Sequence, residues 1–146
     1  MIIYLGSDHA GYELKEAVKS FLKELGYDID DKGAYWYDGD DDYPDFIQPV
    51  AKAVVSNPES YGIIFGGSGQ GEAICANRLM GVRAAVYYGG PEDIIKLSRK
   101  HNNANILSLG ARFISEDEAK EIIKLWLEVP FDGKRHERRI NKIDKL

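Results

Sequence analysis

The chain has 146 residues, 44% hydrophobic and 29% charged, with a formal net charge of -5. That is enough for one domain around one core, and too acidic overall for a general electrostatic grip on nucleic acid. The single cysteine, Cys75, excludes an intrachain disulfide and fits a reducing compartment. The opening Met1-Ile2-Ile3-Tyr4-Leu5-Gly6 lacks the basic start and apolar stretch of a signal peptide, and no apolar run is long enough to span a bilayer. The expectation is a cytoplasmic protein with neither nucleic acid nor membrane as partner.

The apolar residues alternate between short runs and longer amphipathic stretches. Residues 2–5 read as a buried strand. Residues 12–25 read as a helix, with Leu14, Val18, Phe21, Leu22 and Leu25 at helical spacing and Gly26 as its stop. A short strand follows at 27–29, then a polar, acidic loop at 37–45. Pro44 opens a helix that carries its pattern through 46–55. Residues 61–65 form another buried strand, which runs into Gly66-Gly67-Ser68-Gly69-Gln70-Gly71-Glu72 and a helix over 72–79. Then come a strand at 82–88, a helix at 92–100, a strand at 106–109 and a helix at 116–129. Ser115 and Glu118 are spaced as a capping box for that last helix. A basic terminal helix is predicted over 134–144.

Strand–helix alternation of this kind predicts a single-domain, three-layer α/β/α, Rossmann-like fold with a five-stranded, mostly parallel sheet. Ligands of such sheets bind beyond the carboxyl ends of the strands. Ser7-Asp8-His9, the 66–71 loop and Gly110-Ala111-Arg112 each follow a strand, so all three should meet at one edge.

Four glycines in six residues let the loop turn tightly and bare its N–H groups, and the following helix adds its dipole. This makes a nest for an anion or a developing oxyanion, or only a tight packing turn. No Lys-Ser/Thr follows, so it is not a Walker A loop, and it is not a strict dinucleotide fingerprint. Glu72 sits in the first helical turn, either as a partner of the dipole or as a general base beside the nest. The three histidines, His9, His101 and His136, could be polar surface residues or acid–base groups; no pair has close metal-ligand spacing. Arg135 and Arg139 are four apart, on one helical face that suits phosphate oxygens or merely solvates the terminus. Arg112 has the same two readings. The acidic run at 38–45 lacks the pattern of an EF-hand and reads as a solvated loop, with Tyr43 available to stack on a ring. Cys75 lies inside a helix, where a small packing residue is the commoner role.

Taken in order, these segments resemble the type B ribose-5-phosphate isomerases, a family that includes the galactose-6-phosphate isomerase subunits. The matching stretches are Gly6-Ser7-Asp8-His9-Ala10-Gly11-Tyr12-Glu13-Leu14-Lys15, Asp42-Tyr43-Pro44, the glycine loop, Ala76-Asn77-Arg78 and Val82-Arg83-Ala84-Ala85. They continue with Arg99-Lys100-His101-Asn102-Asn103-Ala104-Asn105, Leu109-Gly110-Ala111-Arg112 and Arg135-His136-Glu137-Arg138-Arg139-Ile140. Many members carry a cysteine base just before the loop's Gly-Ser/Thr-Gly; here that position is Gly66. A second branch uses a glutamate just after the loop, the position of Glu72.

The resemblance implies interconversion of ribose 5-phosphate and ribulose 5-phosphate, a step of pentose phosphate metabolism, through a cis-enediolate. It implies Glu72 as base, His101 assisting ring opening, and Asp8 orienting ring oxygens or relaying a proton. Backbone N–H groups of Gly67, Ser68, Gly69, Gln70 and Gly71 would hold the enediolate, with the Ser68 side chain assisting. Asn102 would bind a sugar hydroxyl, Tyr43 and His136 would also touch the substrate, and His9, Arg112, Arg135 and Arg139 would bind the phosphate. Arg135 and Arg139 come from the partner subunit in the family, so the C-terminal helix should reach a partner in a homodimer or a tetramer built from it. No metal or organic cofactor is implied. Rival expectations are the same chemistry on allose 6-phosphate or galactose 6-phosphate, a non-catalytic phosphosugar sensor, and a flavodoxin-like nucleotide module.

Overall fold

Near-continuous apolar runs at 2–5, 61–65 and 106–109 can be satisfied only by burial on both faces, and they form the middle of the sheet. The computed structural model describes residues 1–145. Its strands are β1 (Ile2–Ser7), β2 (Asp28–Asp31), β3 (Tyr61–Gly66), β4 (Ala84–Tyr87) and β5 (Ile106–Gly110). They lie in the order β2-β1-β3-β5-β4, and each of the four pairings is parallel, so the expected mostly parallel sheet is parallel throughout.

Side chains alternate across the strands with period two and feed two cores. Ile3, Leu5, Ile63, Phe65, Leu107 and Leu109 pack with Val18, Leu22, Ile123 and Trp126 from α1 (Tyr12–Glu24) and α5 (Glu116–Glu128), and with Ile95 from α4 (Glu92–Lys100). Tyr4, Ile64 and Ile106 face the other way. They pack with Ile47, Val50 and Val54 from α2 (Pro44–Ser56) and Ala76 from α3 (Gln70–Asn77). These are the three expected layers. Among the described residues, no helix is long and apolar enough to cross a membrane.

A buried cation steers the chain toward the site. Lys15 is fully buried, and its Nζ donates to Asp31 Oδ2 at 2.7 Å and to Glu16 Oε1 at 3.2 Å. Lys19 shares Asp31 at 2.8 Å, and Asp31 Oδ1 accepts from the Gly33 N–H at 2.9 Å. Burial pushes the Asp31 carboxyl up, but the two lysines and the Gly33 amide outweigh it and hold the group below its ordinary value. Ser7 and Ala34 then exchange backbone bonds with residues 33 and 7 at 2.8 Å, which carries the 35–43 segment over the end of β1.

Several local details differ from expectation, among them strands 27–29 and 82–88, which form as Asp28–Asp31 and Ala84–Tyr87. Helix α3 begins two residues early, because Gly69 takes a left-handed φ of +78° and serves as its N-cap. The terminal helix α6 is shorter than 134–144 and covers only Arg135–Ile140; the chain then tightens into i→i−3 bonds, and Asp144 Oδ2 accepts from the Gly81 N–H at 2.9 Å. At Ser115 half of the capping box forms. Its Oγ accepts from the Glu118 N–H at 3.1 Å, while the Glu118 carboxylate accepts from the Tyr87 hydroxyl at 2.9 Å.

Candidate active site

A parallel sheet gathers the segments that follow its strands at one edge, and three such segments meet here. After β1, Asp8 caps the single helical turn His9–Gly11: its Oδ1 accepts from the N–H groups of Ala10 at 3.0 Å and Gly11 at 3.3 Å. After β3 comes the glycine loop. After β5 comes Arg112, whose guanidinium lies over Gly67; a Cβ added there would stand 3.0 Å from Nη1. Tyr43, at the start of α2, lays its ring on Gly71 in the same way, with Cζ 3.0 Å from an added Cβ.

The loop is held by its carbonyls. Those of Gly66 and Gly67 accept from the N–H groups of Ala111 at 2.8 Å and Arg112 at 3.1 Å. The Gly69 carbonyl accepts from buried Ser108 Oγ at 2.6 Å. With the carbonyls committed to the β5 side, the first-turn N–H groups of α3, which have no intrahelical partner, form the concave donor face. The Ser68 hydroxyl has a local duty in this state, accepting from the Gln70 N–H at 3.2 Å.

Glu72 projects from that first turn yet is only 4% exposed. Its carboxylate occupies the space a side chain at position 66 would need: a Cβ on Gly66 would overlap both carboxylate oxygens. The missing side chain at 66 and the acid at 72 are therefore one arrangement. Desolvation pushes the Glu72 carboxyl above its ordinary value, and neighbouring Asp8 adds to the rise; the local backbone amide and Arg112 oppose it without cancelling it. A carboxylate that is desolvated, raised in pKa and set beside an anion nest has the properties of a general base for carbon acids. Cys75, one turn on, is half-buried, and burial together with the Glu72 charge pushes its thiol up, away from a nucleophile's range.

The acidic loop is not merely solvated, as the sequence suggested. Asp41 turns inward, and its Oδ1 receives the His9 backbone N–H at 3.0 Å and lies 2.7 Å from His9 Nδ1. The hydrogen bond from Asp41 raises the His9 imidazole above its ordinary value; Asp8 and the Asp41 charge add to this, against burial and Arg112. Sequence reasoning missed Asp41 because nothing in the run Asp40-Asp41-Asp42 distinguishes the residue that points inward.

The remaining candidates lie at the opposite edge. Helix α4 runs back against β4, so His101 caps it beside the start of β5. Arg83, just before β4, donates from Nε to the carbonyls of Asn102 at 3.1 Å and Asn103 at 3.0 Å. Arg99 Nη2 reaches the hydroxyl of Tyr61, the first residue of β3, at 2.8 Å. Here the His101 ring stacks on His136 of α6, with centroids 4.1 Å apart and planes 11° apart. Burial and the neighbouring His101 push the His136 imidazole below its ordinary value. Arg135 and Arg139 project from the same short helix and are exposed. Asp132, His101 and His136 hold potential ligand atoms within 4.8 Å of one another. In rings so nearly parallel the in-plane lone pairs run side by side, whereas a metal needs them to converge at ~2 Å. The cluster as it stands is therefore not a metal centre.

Thus one chain brings together Asp8, His9, Tyr43, Gly67, Ser68, Gly69, Gln70, Gly71, Glu72 and Arg112, and separately His101, Asn102, Arg135, His136 and Arg139. The five residues of β5 lie between the two groups, about 13 Å at ~3.3 Å per residue.

Comparison with known proteins gives a consistent result. Residues 3–143 match the family model described as Ribose/Galactose Isomerase. The chain is 42% identical over 142 residues to ribose-5-phosphate isomerase B of Mycolicibacterium paratuberculosis, covering 97% of this chain and 88% of that protein. A crystal structure of ribose-5-phosphate isomerase B from Mycoplasma genitalium with bound ribulose-5-phosphate superposes with a TM-score of 0.94 at 39% identity, covering 99% of this chain and 94% of that one. The Clostridium thermocellum ribose-5-phosphate isomerase B gives 0.94 at 43% identity, covering 99% and 96%.

Proposed function

This chain belongs to the ribose/galactose isomerase family, and from that premise we propose that it interconverts D-ribose 5-phosphate and D-ribulose 5-phosphate with Glu72 as the base. The observation that carries the assignment of the base is the buried Glu72 carboxylate lying on Gly66 at the mouth of the amide nest. His101 donates a proton to the ring oxygen while Asp8 takes the proton of the C1 hydroxyl, and the furanose opens to the aldehyde. Glu72 takes the C2 proton of the aldehyde, leaving a cis-enediolate whose charge rests on the loop amides. The O2 hydroxyl proton passes to O1, Glu72 returns its proton to C1, and the product is the ketose. Asp8 orients the ring oxygens, Ser68 assists the nest, and Tyr43 and Asn102 touch the sugar. His9, Arg112, Arg135 and Arg139 take the phosphate end, and His136 lines the substrate beside His101. The steps move only protons and need no cofactor.

A homodimer supplies the complete site. Glu72 and His101 stand at opposite edges of one rigid sheet, so the His101, Asn102 and α6 residues that serve one Glu72 belong to a second copy. Exposed apolar residues support a covered surface: Tyr88 and Phe113, ring centroids 6.1 Å apart at the carboxyl edge, are 47% and 63% exposed. The lone, half-buried thiol supports a cytoplasmic home.

The test is turnover of ribose 5-phosphate by the purified protein without added metal, beside allose 6-phosphate and galactose 6-phosphate. A higher kcat/KM on the five-carbon sugar is expected. Preference for a six-carbon sugar would reassign the substrate, and binding without turnover on all three would leave a sensor.

A further inference from the structure

We propose that Asp41 is a positioning residue that fixes His9 as an imidazolium with Nε2–H directed to the substrate phosphate. This rests on the reading of His9 as a phosphate ligand given above. Asp41 Oδ1 takes two bonds from the same residue, the His9 backbone N–H at 3.0 Å and Nδ1 at 2.7 Å. The first fixes where the His9 turn sits, and the second fixes the ring. Since a carboxylate oxygen only accepts, Nδ1 must carry a proton, which leaves Nε2 as the outward nitrogen.

The charge state follows from burial. The Asp41 side chain is 7% exposed, and its second oxygen, Oδ2, is buried without a hydrogen-bond partner. A buried carboxylate needs a compensating cation, and the His9 ring is the one in contact. The other groups that face His9 are Asp8 beside it, which favours the charged ring, and Arg112 beyond β5, which opposes it. The Tyr37 ring closes a further side, perpendicular to the imidazole with centroids 6.2 Å apart. The balance raises the imidazole and favours its charged form. The acidic loop thereby acts on an anionic substrate through a histidine: it sets the affinity for phosphate and the pH at which that affinity fades. A cationic ring is present below its folded pKa and lost as pH rises through it. Asp41 moves that loss to higher pH.

Asp41→Asn tests this. Steady-state kinetics on ribose 5-phosphate should show KM raised about 10-fold, the size of one charge-assisted hydrogen bond, with kcat within about twofold. The pH at which KM begins to climb should fall, and Asp41→Glu should recover part of both effects. In His9→Asn the further change Asp41→Asn should add little, because the two act as one unit. An unchanged KM profile in Asp41→Asn, or full additivity with His9→Asn, overturns the proposal. If His9→Asn itself leaves KM unchanged, the phosphate role of His9 fails instead. Nitrogen-15 NMR of the wild-type imidazoles gives an answer independent of any variant: His9 should hold a protonated Nδ1 throughout and titrate above 6.5. A neutral ring protonated only at Nε2 overturns the proposal.

Discussion

The two edges of the sheet handle ionisable groups in opposite ways. At the carboxyl edge the working parts are main-chain amides, glycines and one desolvated carboxylate, all on segments that leave a strand directly. At the amino edge they are two stacked imidazoles, that of His136 buried, and the exposed guanidinium groups of Arg135 and Arg139, all at the ends of short helices. Burial acts at both edges and with opposite sign: it pushes the Glu72 carboxyl up and the His136 imidazole down, each toward its neutral form. On the proposed function, the first edge holds the base, kept dry by packing, and the second the donors for phosphate and hydroxyl of a partner's site. A carbon acid needs the rigid base, while a mobile sugar phosphate suits the open donors.

The largest effect expected from breaking the first edge is Glu72→Gln, which should lower kcat by about 10²–10⁴ with little change in substrate affinity. Full turnover in this variant would remove Glu72 as base. The same change should stabilise the fold at neutral pH. The folded-state pKa of Glu72 is raised, so above it the native chain holds a desolvated charge that the unfolded chain does not. The gain in Tm should be present at pH 7–8 and vanish as the pH falls below the ordinary glutamate value. In the wild type, kcat/KM should rise with pH through that raised pKa.

Gly66→Ala should cost nearly as much activity, at least ~10² in kcat, while the chain still folds, because the atoms nearest the new Cβ all belong to the movable end of Glu72. Activity near wild type would show that the carboxylate need not lie where it does. The division between the edges is tested by mixing two inactive proteins. Glu72→Gln and His101→Asn chains, unfolded and refolded together, should recover about a quarter of the wild-type rate, since half the dimers pair unlike chains and each of those holds one intact site. No recovery would place both groups in one chain's site and contradict the edge assignment. Cys75→Ala should be nearly silent in kcat, because its thiol is held protonated and the base is elsewhere; a large loss would give it a role the geometry does not suggest.

The sequence by itself determined the sheet. Apolar runs of strand length, separated by amphipathic stretches of helix length, leave few ways to bury both faces, and the five strands and their helices stand where the periodicity put them. It also determined which segments follow strands, and so brought Asp8, the 66–72 loop and Arg112 to one edge. Pattern along the chain could not say how individual side chains turn there. Asp41 is one of several adjacent acids, and only the folded path of the loop brings it against His9. Nor could spacing show that Glu72 fills the place of a side chain at 66, a matter of volume between residues six apart, or that His136 lies on His101, thirty-five residues earlier. The sharpest example is the separation of His101 from Glu72. Both belong to one ordered set of motifs, but a helix running back against its strand carries His101 to the far edge. Sequence order records which residues are present; the direction of each helix relative to the sheet decides which of them can meet within one chain.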